Sequence, residues 1–481
     1  MSSSTIHSSE TVEGVWIFHR HGDRSPGKPL VAEHMYEAES AFWRTKIPPT
    51  DRSYYHALCE KYPTYIHESN NSGNFLDVEK EPFGFLSWKG MNQMYETGKG
   101  IGERYFGKDQ SSSEFVMDWD VKAYSTNYLR TVMSVQCFMD GLLHPFTTSN
   151  GQEQKQDQQQ QQHYYENLAT EEFHSSRESF FTNTNNNRNE LIQVRDRKDD
   201  TLNAFDKRPE YMKNLVKNVV ATSSFIDIDS KAGCLAARLA NFLPGLANAS
   251  SYGGPSGINW IHAADHFVCR TSHDLPFSKF SHSENDPHAE ETLDAMSYGV
   301  ISHLCWRFRT WYQSPPLLAA VAGPPLEEIG KGMMDALERD TQSSSAKKPF
   351  VVYSCHDVTV LSLLYGVGAD FLAPKKDLIK IGINPGNDER WRFWPKYAST
   401  LVFELVRRDD AESNGIESSS SHFVRIFLNG EEIRTIESLR RKKDVLSVLE
   451  FTQIIKELNS QSAEEMKTEL NGERDMSNWT G

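Results

Sequence analysis

The sequence lacks any apolar run long enough to cross a bilayer. Its longest candidate, PPLLAAVAGPPL at residues 315–326, is short and is interrupted by prolines. A membrane-spanning helix needs about 20 consecutive, mostly apolar residues. We therefore expect a soluble protein without a transmembrane segment.

Targeting signals and paired cysteines are also missing. The first residues, MSSSTIHSSETVEG, have neither the basic and apolar segments of a secretory signal nor the Arg-rich pattern of a mitochondrial presequence. The six cysteines are scattered without CxxC spacing, which favours neither a zinc site nor a compact disulfide framework. These absences predict a cytoplasmic protein with free thiols.

A basic surplus is absent as well. The chain has 51 Lys and Arg against 66 Asp and Glu, so its formal net charge is -15. General nucleic-acid binders carry a positive surplus, and the sequence therefore argues against nucleic acid as a partner. Any cationic cluster in this protein must be local.

What the sequence does contain is an alternation of strand-like and helical segments. GVWIF (14–18), DVKAYST (120–126) and PFVVYS (349–354) each precede a helical pattern. This alternation predicts an α/β fold with a parallel-type sheet covered by helices on both faces. Ligands of such sheets bind beyond the carboxyl ends of the strands, where all three segments carry polar clusters.

Composition divides the chain further. A Gln/Asn-rich segment is too poor in aliphatic residues to bury a core and predicts a disordered insertion. The region after it has helix-length patterns and few alternating runs, which predicts a smaller, mainly helical domain. We assign the α/β core to 12–146 and 346–456 with part of 26–85 in the cap, the insertion to 147–203, the helical domain to 204–345, and a tail to 457–481.

The polar cluster after the first segment is RHGDRSP, residues 20–26. A solvated turn would explain the Gly and Ser-Pro, but it would not explain two arginines beside an imidazole. Guanidinium groups are preferred planar donors for phosphate, and a neutral imidazole nitrogen is a nucleophile. Arg20, His21 and Arg24 therefore predict a phosphate site with a built-in nucleophile.

The other two clusters complete this chemistry. Arg130 follows the second segment in YSTNYLRT, and His356 and Asp357 follow the third in SCHDVT. Alone, Arg130 is typical of a surface charge and Asp357 of a helix N-cap. Together with His21, they supply donors for a phosphate dianion and an acid for the leaving alkoxide. Because guanidinium groups can neutralise the phosphate, this chemistry requires no metal or other cofactor.

RHGDRSP and CHDVT together resemble the acid phosphatase branch of the histidine phosphatase superfamily. The similarity extends over most of the chain outside the Gln-rich insertion and the tail, and it is greatest to lysophosphatidic acid phosphatases. The resemblance implies the histidine phosphatase fold, with His21 as phospho-accepting nucleophile and Asp357 as proton donor. It also implies a phosphate pocket of Arg20, Arg24, Arg130 and His356.

Four residues near these motifs have no assigned role. Asn127 stands where many members of the branch have Asp, and Asp23 lies at a position that varies among them. His19 is expected to end the first strand. His273, in SHDLP, either lines the pocket or packs.

The expected function is hydrolysis of a small phosphate monoester, such as lysophosphatidic acid, through a phosphohistidine. An inositol polyphosphate phosphatase of the phytase type is the first alternative, and it would require a strongly basic pocket. A non-catalytic phosphate-binding module is the second. The sequence leaves the oligomeric state open.

Overall fold

A nine-stranded sheet forms the centre of the protein. The computed structural model describes residues 10–66, 75–76, 80–106, 118–143, 191–247, 254–342, 346–382, 392–408 and 421–460. The strands are β1 (Glu10–Arg20), β2 (Thr64–Ile66), β3 (Trp119–Ser125), β4 (Ile192–Val194), β5 (Lys348–Cys355), β6 (Thr400–Arg408), β7 (His422–Leu428), β8 (Glu431–Glu432) and β9 (Leu446–Ser447).

The sheet is parallel on one side and antiparallel on the other. Its order is β2-β4-β3-β5-β1-β6-β7-β8, with β9 also paired to β7. Neighbours from β2 to β1 run parallel, whereas β6 to β9 pair antiparallel. The predicted α/β class is confirmed. The antiparallel strands were not predicted, because a hairpin such as β7–β8 shows no strand–helix alternation and β9 has two residues only.

Helices follow most of the strands. They are α1 (Tyr36–Arg44), α2 (Ser53–Lys61), α3 (Trp88–Phe106), α4 (Leu129–Leu142), α5 (Ala204–Lys207), α6 (Pro209–Val220), α7 (Ser223–Lys231), α8 (Gly233–Phe242), α9 (Trp260–Ser272), α10 (Ala289–Tyr312), α11 (Pro315–Gln342), α12 (Asp357–Gly366), α13 (Lys375–Lys380), α14 (Ile436–Arg441) and a last helix over 448–460. Within the described residues, no helix combines the length and apolar character of a bilayer span.

Side chains of β1 alternate between two hydrophobic cores, as the period of two in a strand requires. Val15 and Ile17 pack into the core that α3 and α4 cover. Trp16 and Phe18 point to the opposite face and pack into the core formed with α6 to α12. The sheet is therefore covered on both faces, and the helical region that follows the insertion shares its core with one of them.

The Gln/Asn-rich insertion ends earlier than the sequence suggested. Residues 144–190 lie outside the described part of the chain, but Ile192 and Val194 of β4 are buried between β2 and β3. A strand of three residues is too short for alternation to reveal it. The tail also begins later than predicted, because the last helix continues to residue 460 and buries Leu458.

Helices α3 and α4 touch at their backbones. The sequence GKGIG, which superficially suggests a nucleotide loop, lies inside α3. A Cβ at Gly98 would lie 2.0 Å from the carbonyl oxygen of Phe138, and a Cβ at Gly141 would lie 1.9 Å from that of Tyr95. Both glycines are therefore required by the close packing of this face of the sheet.

We predict that Gly98→Ala lowers the free energy of unfolding by about 1–3 kcal/mol or more, because α3 and α4 must separate to admit a methyl group. Gly100→Ala is the matched control, since nothing lies within 4 Å of its Cβ position. Alanine there should stabilise the exposed helix by up to about 1 kcal/mol. Urea denaturation of both variants provides the measurement. Equal effects at the two positions would contradict the close contact.

Candidate functional site

The carboxyl ends of three parallel strands bring the predicted residues together. Arg20 pairs with Cys355 across β1 and β5, and Ser125 pairs with Ser354 across β3 and β5, so the three strands end within one residue of each other. A cavity of about 230 Å³ opens at this edge. Five of the six predicted residues line it: His21, Arg24, Arg130, His356 and Asp357.

His21 is buried directly beyond the end of β1. Its Nδ1 lies 2.8 Å from the carbonyl oxygen of Gly22. A carbonyl only accepts hydrogen bonds, so Nδ1 carries the proton and Nε2 keeps its lone pair. Burial holds the pKa of His21 well below its ordinary value, and the surrounding guanidinium groups, Arg130 foremost, lower it further. The result is a neutral imidazole with an unprotonated nitrogen in the cavity wall.

Arg20 lies behind the cavity and is almost completely buried. One terminal nitrogen lies 2.8 Å from Oδ2 of Asp357, and the other donates to the carbonyl oxygen of Pro395 at 2.7 Å. The guanidinium also stacks 4.2 Å over the ring of Tyr397. Arg20 therefore links the ends of β1 and β5 to the chain segment that precedes β6.

Arg24 is held by Asp265, a residue of α9 that no local sequence signal identified. Its two terminal nitrogens contact the two carboxylate oxygens at 2.8 and 3.2 Å, and the amide of Gly27 donates to Oδ2 at 2.7 Å. Burial alone would raise the pKa of Asp265, but the charge of Arg24 together with the hydrogen bonds from Gly27 and Arg24 keeps that pKa below its ordinary value. The helical region thus fixes a side chain of the RHGDRSP loop.

Two buried donors point to an anionic ligand. Nε of Arg20 and Nε of Arg24 lie out of contact with solvent, and neither has a hydrogen-bond acceptor among the described residues. A buried donor without an acceptor costs about 1–3 kcal/mol. A phosphate offers several charged oxygens, and it would supply acceptors that the protein part of the site does not.

Arg130 and His356 form the opposite wall of the cavity. The guanidinium of Arg130 lies 4.2 Å over the ring of Tyr128. Arg130 also lines the cavity, so it is not an outward surface charge. Nε2 of His356 lies 3.2 Å from Oγ1 of Thr126. Burial holds the pKa of His356 well below its ordinary value, and Arg130 contributes to the same shift. The cavity therefore contains two neutral imidazoles between charged guanidinium groups.

Asp357 is the first residue of α12. Its carboxylate contacts side chains from two distant parts of the chain, Arg20 and Trp394. Oδ2 lies 2.8 Å from Arg20 and accepts from Nε1 of Trp394 at 3.2 Å, and Oδ1 accepts from the amide of Val358 at 2.8 Å. The N-cap position belongs to His356. Asp357 thus accepts a hydrogen bond from a helix amide, as a capping carboxylate would. It also lines the same cavity as His21.

The residues without an assigned role pack around the site. Asp23 is fully buried, and its Oδ1 lies 2.5 Å from Oγ of Ser87 and 2.6 Å from Nε2 of His273. His273 therefore packs against the RHGDRSP loop and does not line the cavity. His19 is buried and stacks on Phe138, with ring centroids 5.1 Å apart. Asn127 is buried beyond the end of β3.

The described side chains offer no cluster suited to a metal ion. Across those parts of the chain, no three or more His, Cys, Asp or Glu side chains come together in a group that could hold one. The donors of the site are guanidinium, imidazole and amide groups, which are the partners of an oxyanion.

The chain matches a known protein family over most of its length. The sequence profile described as the histidine phosphatase superfamily (branch 2) matches residues 11–429. A comparison with curated protein sequences finds no match. Among solved structures, the phytase of Klebsiella sp. ASR1 is 13% identical with a TM-score of 0.43, covering 94% of this chain and 96% of its own. A multiple inositol polyphosphate phosphatase of Bifidobacterium longum with inositol hexasulfate is 15% identical with a TM-score of 0.48, covering 90% and 89%.

We predict that His21 stays neutral between pH 7.5 and pH 5.5, because a depressed pKa means that protonation is reached only at lower pH. NMR gives the measurement: the imidazole Cε1–Hε1 signal that is missing from His21→Gln should not shift over this range. A histidine-containing model peptide in the same sample is the reference, and its imidazole signal should titrate near pH 6.5. A His21 signal that moves together with that of the model peptide would contradict the electrostatic picture of the site.

Proposed function

The chain belongs to the histidine phosphatase superfamily, branch 2, and is a phosphomonoester hydrolase, and we propose that it works through a phosphohistidine on His21. The observation that carries the proposal is the state of His21. It is a buried imidazole whose Nδ1 is fixed on Gly22 while Nε2 remains available in a cavity lined by Arg24 and Arg130. A neutral nitrogen nucleophile surrounded by guanidinium groups suits attack on a phosphate dianion.

In the first step, Nε2 of His21 attacks phosphorus in line with the ester oxygen. The bond between phosphorus and that oxygen breaks, and its electron pair goes to the leaving group. Arg20, Arg24 and Arg130, with His356, bind the other phosphate oxygens and neutralise the charge that a metal ion neutralises in kinases. A phosphohistidine and an alkoxide would result unless the alkoxide is protonated as it leaves.

Asp357 supplies that proton. In the structure its carboxyl group contacts donors only, Arg20 among them. A bound phosphate adds a second negative charge beside Asp357 and competes for Arg20, and both changes favour proton uptake by the carboxyl group. In the second step, Asp357 accepts a proton from the water that attacks phosphorus. The bond between phosphorus and Nε2 then breaks and restores His21.

The walls of the cavity indicate the leaving group. Beyond the phosphate-binding residues, the lining is largely apolar and aromatic: Tyr128, Phe205, Ile261, Phe308, Trp311 and Val358. Burial of apolar area contributes roughly 25 cal/mol per Å², so an acyl or alkyl group would bind favourably there. We therefore propose lysophosphatidic acid or a similar small monoester as the substrate.

An inositol polyphosphate is the competing hypothesis. Phytate carries further phosphates on every side of its ring, and each one requires cationic partners. The described residues that line the cavity include two arginines, two aspartates and no lysine. This charge balance favours a substrate with one phosphate over one with six.

We predict that acid-labile, base-stable phosphate can be trapped on the wild-type protein by rapid quenching during turnover, and that none is trapped on His21→Ala. The reason is the covalent bond to the imidazole. Acid-stable phosphoserine, or unchanged turnover in His21→Ala, would overturn the assignment of the nucleophile.

The same assay tests Asp357. In Asp357→Asn, phosphoenzyme formation from lysophosphatidate should fall on the order of 10²- to 10⁴-fold, because an alkoxide leaves poorly without a proton. Formation from p-nitrophenyl phosphate should fall far less, since p-nitrophenolate is a weak base. Equal losses on both esters, with circular dichroism unchanged, would leave Asp357 with the role of a helix-terminal carboxylate only.

We predict that the wild-type kcat/KM is at least tenfold higher for lysophosphatidate below its critical micelle concentration than for phytate. Released phosphate provides the measurement, and p-nitrophenyl phosphate serves as the reference that shows active enzyme. A higher kcat/KM for phytate would refute the lysophosphatidate proposal and favour the phytase-type alternative.

A further inference from the structure

The outer part of the cavity contains a carboxylate that the proposed chemistry does not use. Asp206 lies in α5 and lines the cavity that also holds His21 and Asp357. Asp206 and Asp357 are the two carboxylates among the described lining residues. Asp206 is linked to the phosphate-binding residues through Tyr128, whose hydroxyl donates to Asp206 and whose ring lies edge-on to that of His356, with centroids 5.0 Å apart. We call the part of the lining formed by Asn203, Phe205 and Asp206 the outer cavity.

Neutral donors hold this carboxylate in place. The hydroxyl of Tyr128 donates to Oδ2 of Asp206 at 2.5 Å, and Nδ2 of Asn203 donates to the same oxygen at 2.7 Å. Nε of Arg197 donates to the main-chain carbonyl oxygen of Asp206 at 3.2 Å, and not to the carboxylate. Because the donors to the carboxylate are uncharged, they orient it without cancelling its negative charge.

The net charge of the cavity lining changes from neutral to negative when a substrate binds. Two guanidinium groups, Arg24 and Arg130, balance the two carboxylates of the lining. A phosphate monoester adds close to two negative charges at neutral pH. The leaving group of a bound substrate therefore lies in a negative field, to which Asp206 contributes.

We propose that the outer cavity is a subsite for alcohols that carry an ammonium group, and that Asp206 determines this preference. On this proposal, which rests on the proposed function, an ammonium group adds to the apolar contacts of the lining, so that among phosphomonoesters of the same shape those of amino or quaternary ammonium alcohols are favoured over neutral ones. Esters with a second anion are disfavoured. Phe205 and Phe308 line the same cavity, and aromatic rings are favourable surroundings for ammonium groups.

An isosteric pair of substrates isolates the charge. Choline phosphate and 3,3-dimethylbutyl phosphate have the same shape and differ in one atom, nitrogen against carbon. Wild-type kcat/KM should favour choline phosphate by about tenfold at low salt, the scale of one charge pair partly exposed to solvent. The ratio should decrease at 0.5 M NaCl because salt screens the interaction. In Asp206→Asn, which keeps an oxygen acceptor for Tyr128 and Asn203, it should fall to about one.

Two further variants separate charge from structure. Glu210→Gln removes a carboxylate four residues away that is 82% exposed and outside the cavity lining, so the ratio should stay at its wild-type value. Tyr128→Phe removes a hydrogen bond to Asp206 but no charge, and it should keep most of the preference.

Three results would overturn the subsite: a wild-type ratio near one, an unchanged ratio in Asp206→Asn, or a Tyr128→Phe ratio as low as that of Asp206→Asn. Each of them leaves the phosphatase chemistry intact, because both esters are still hydrolysed. Absence of turnover on both esters and on p-nitrophenyl phosphate would instead overturn the proposed function, and the subsite with it.

Discussion

A guanidinium group buried at the end of a central strand requires partners, because an unpaired charge in a protein interior costs several kcal/mol. Arg20 finds them in Asp357, in the carbonyl oxygen of Pro395 and in the ring of Tyr397. These partners are 337 to 377 positions further along the chain. These contacts of Arg20 therefore stabilise the arrangement in which β1 lies between β5 and β6. The same arrangement places His21 next to Asp357.

The helical region is part of the site for a similar reason. Asp265 of α9 neutralises Arg24 and binds the amide of Gly27, and the residue after α9, His273, contacts Asp23. Three contacts from α9 and the residue that follows it thus fix the loop that carries the nucleophile. A fixed loop keeps charged donors in place before the substrate arrives, which is the condition for electrostatic stabilisation of a transition state.

Local sequence was sufficient to predict the α/β class and the residues that follow the strands. RHGDRSP and CHDVT could be assigned because strand ends carry ligand sites and because the two motifs contain complementary groups. Asp265 could not be found in this way, since one carboxylate in a helix has no local signature and its partner lies 241 residues away. The short strand β4 was missed because three residues show no period. The antiparallel strands were missed because the prediction was built on strand–helix alternation, which a hairpin such as β7–β8 does not show.

The long sequence separation within the Arg20 cluster has a consequence for protein synthesis. A nascent chain exposes RHGDRSP early, but Pro395 and Tyr397 leave the ribosome only after most of the protein has been made. At 5–20 residues per second, the interval is roughly 20 to 75 s. During that time Arg20 must remain hydrated, and the phosphate pocket does not exist. The enzyme is therefore inactive while it is being translated, and it gains activity only when the late segments close over its first strand.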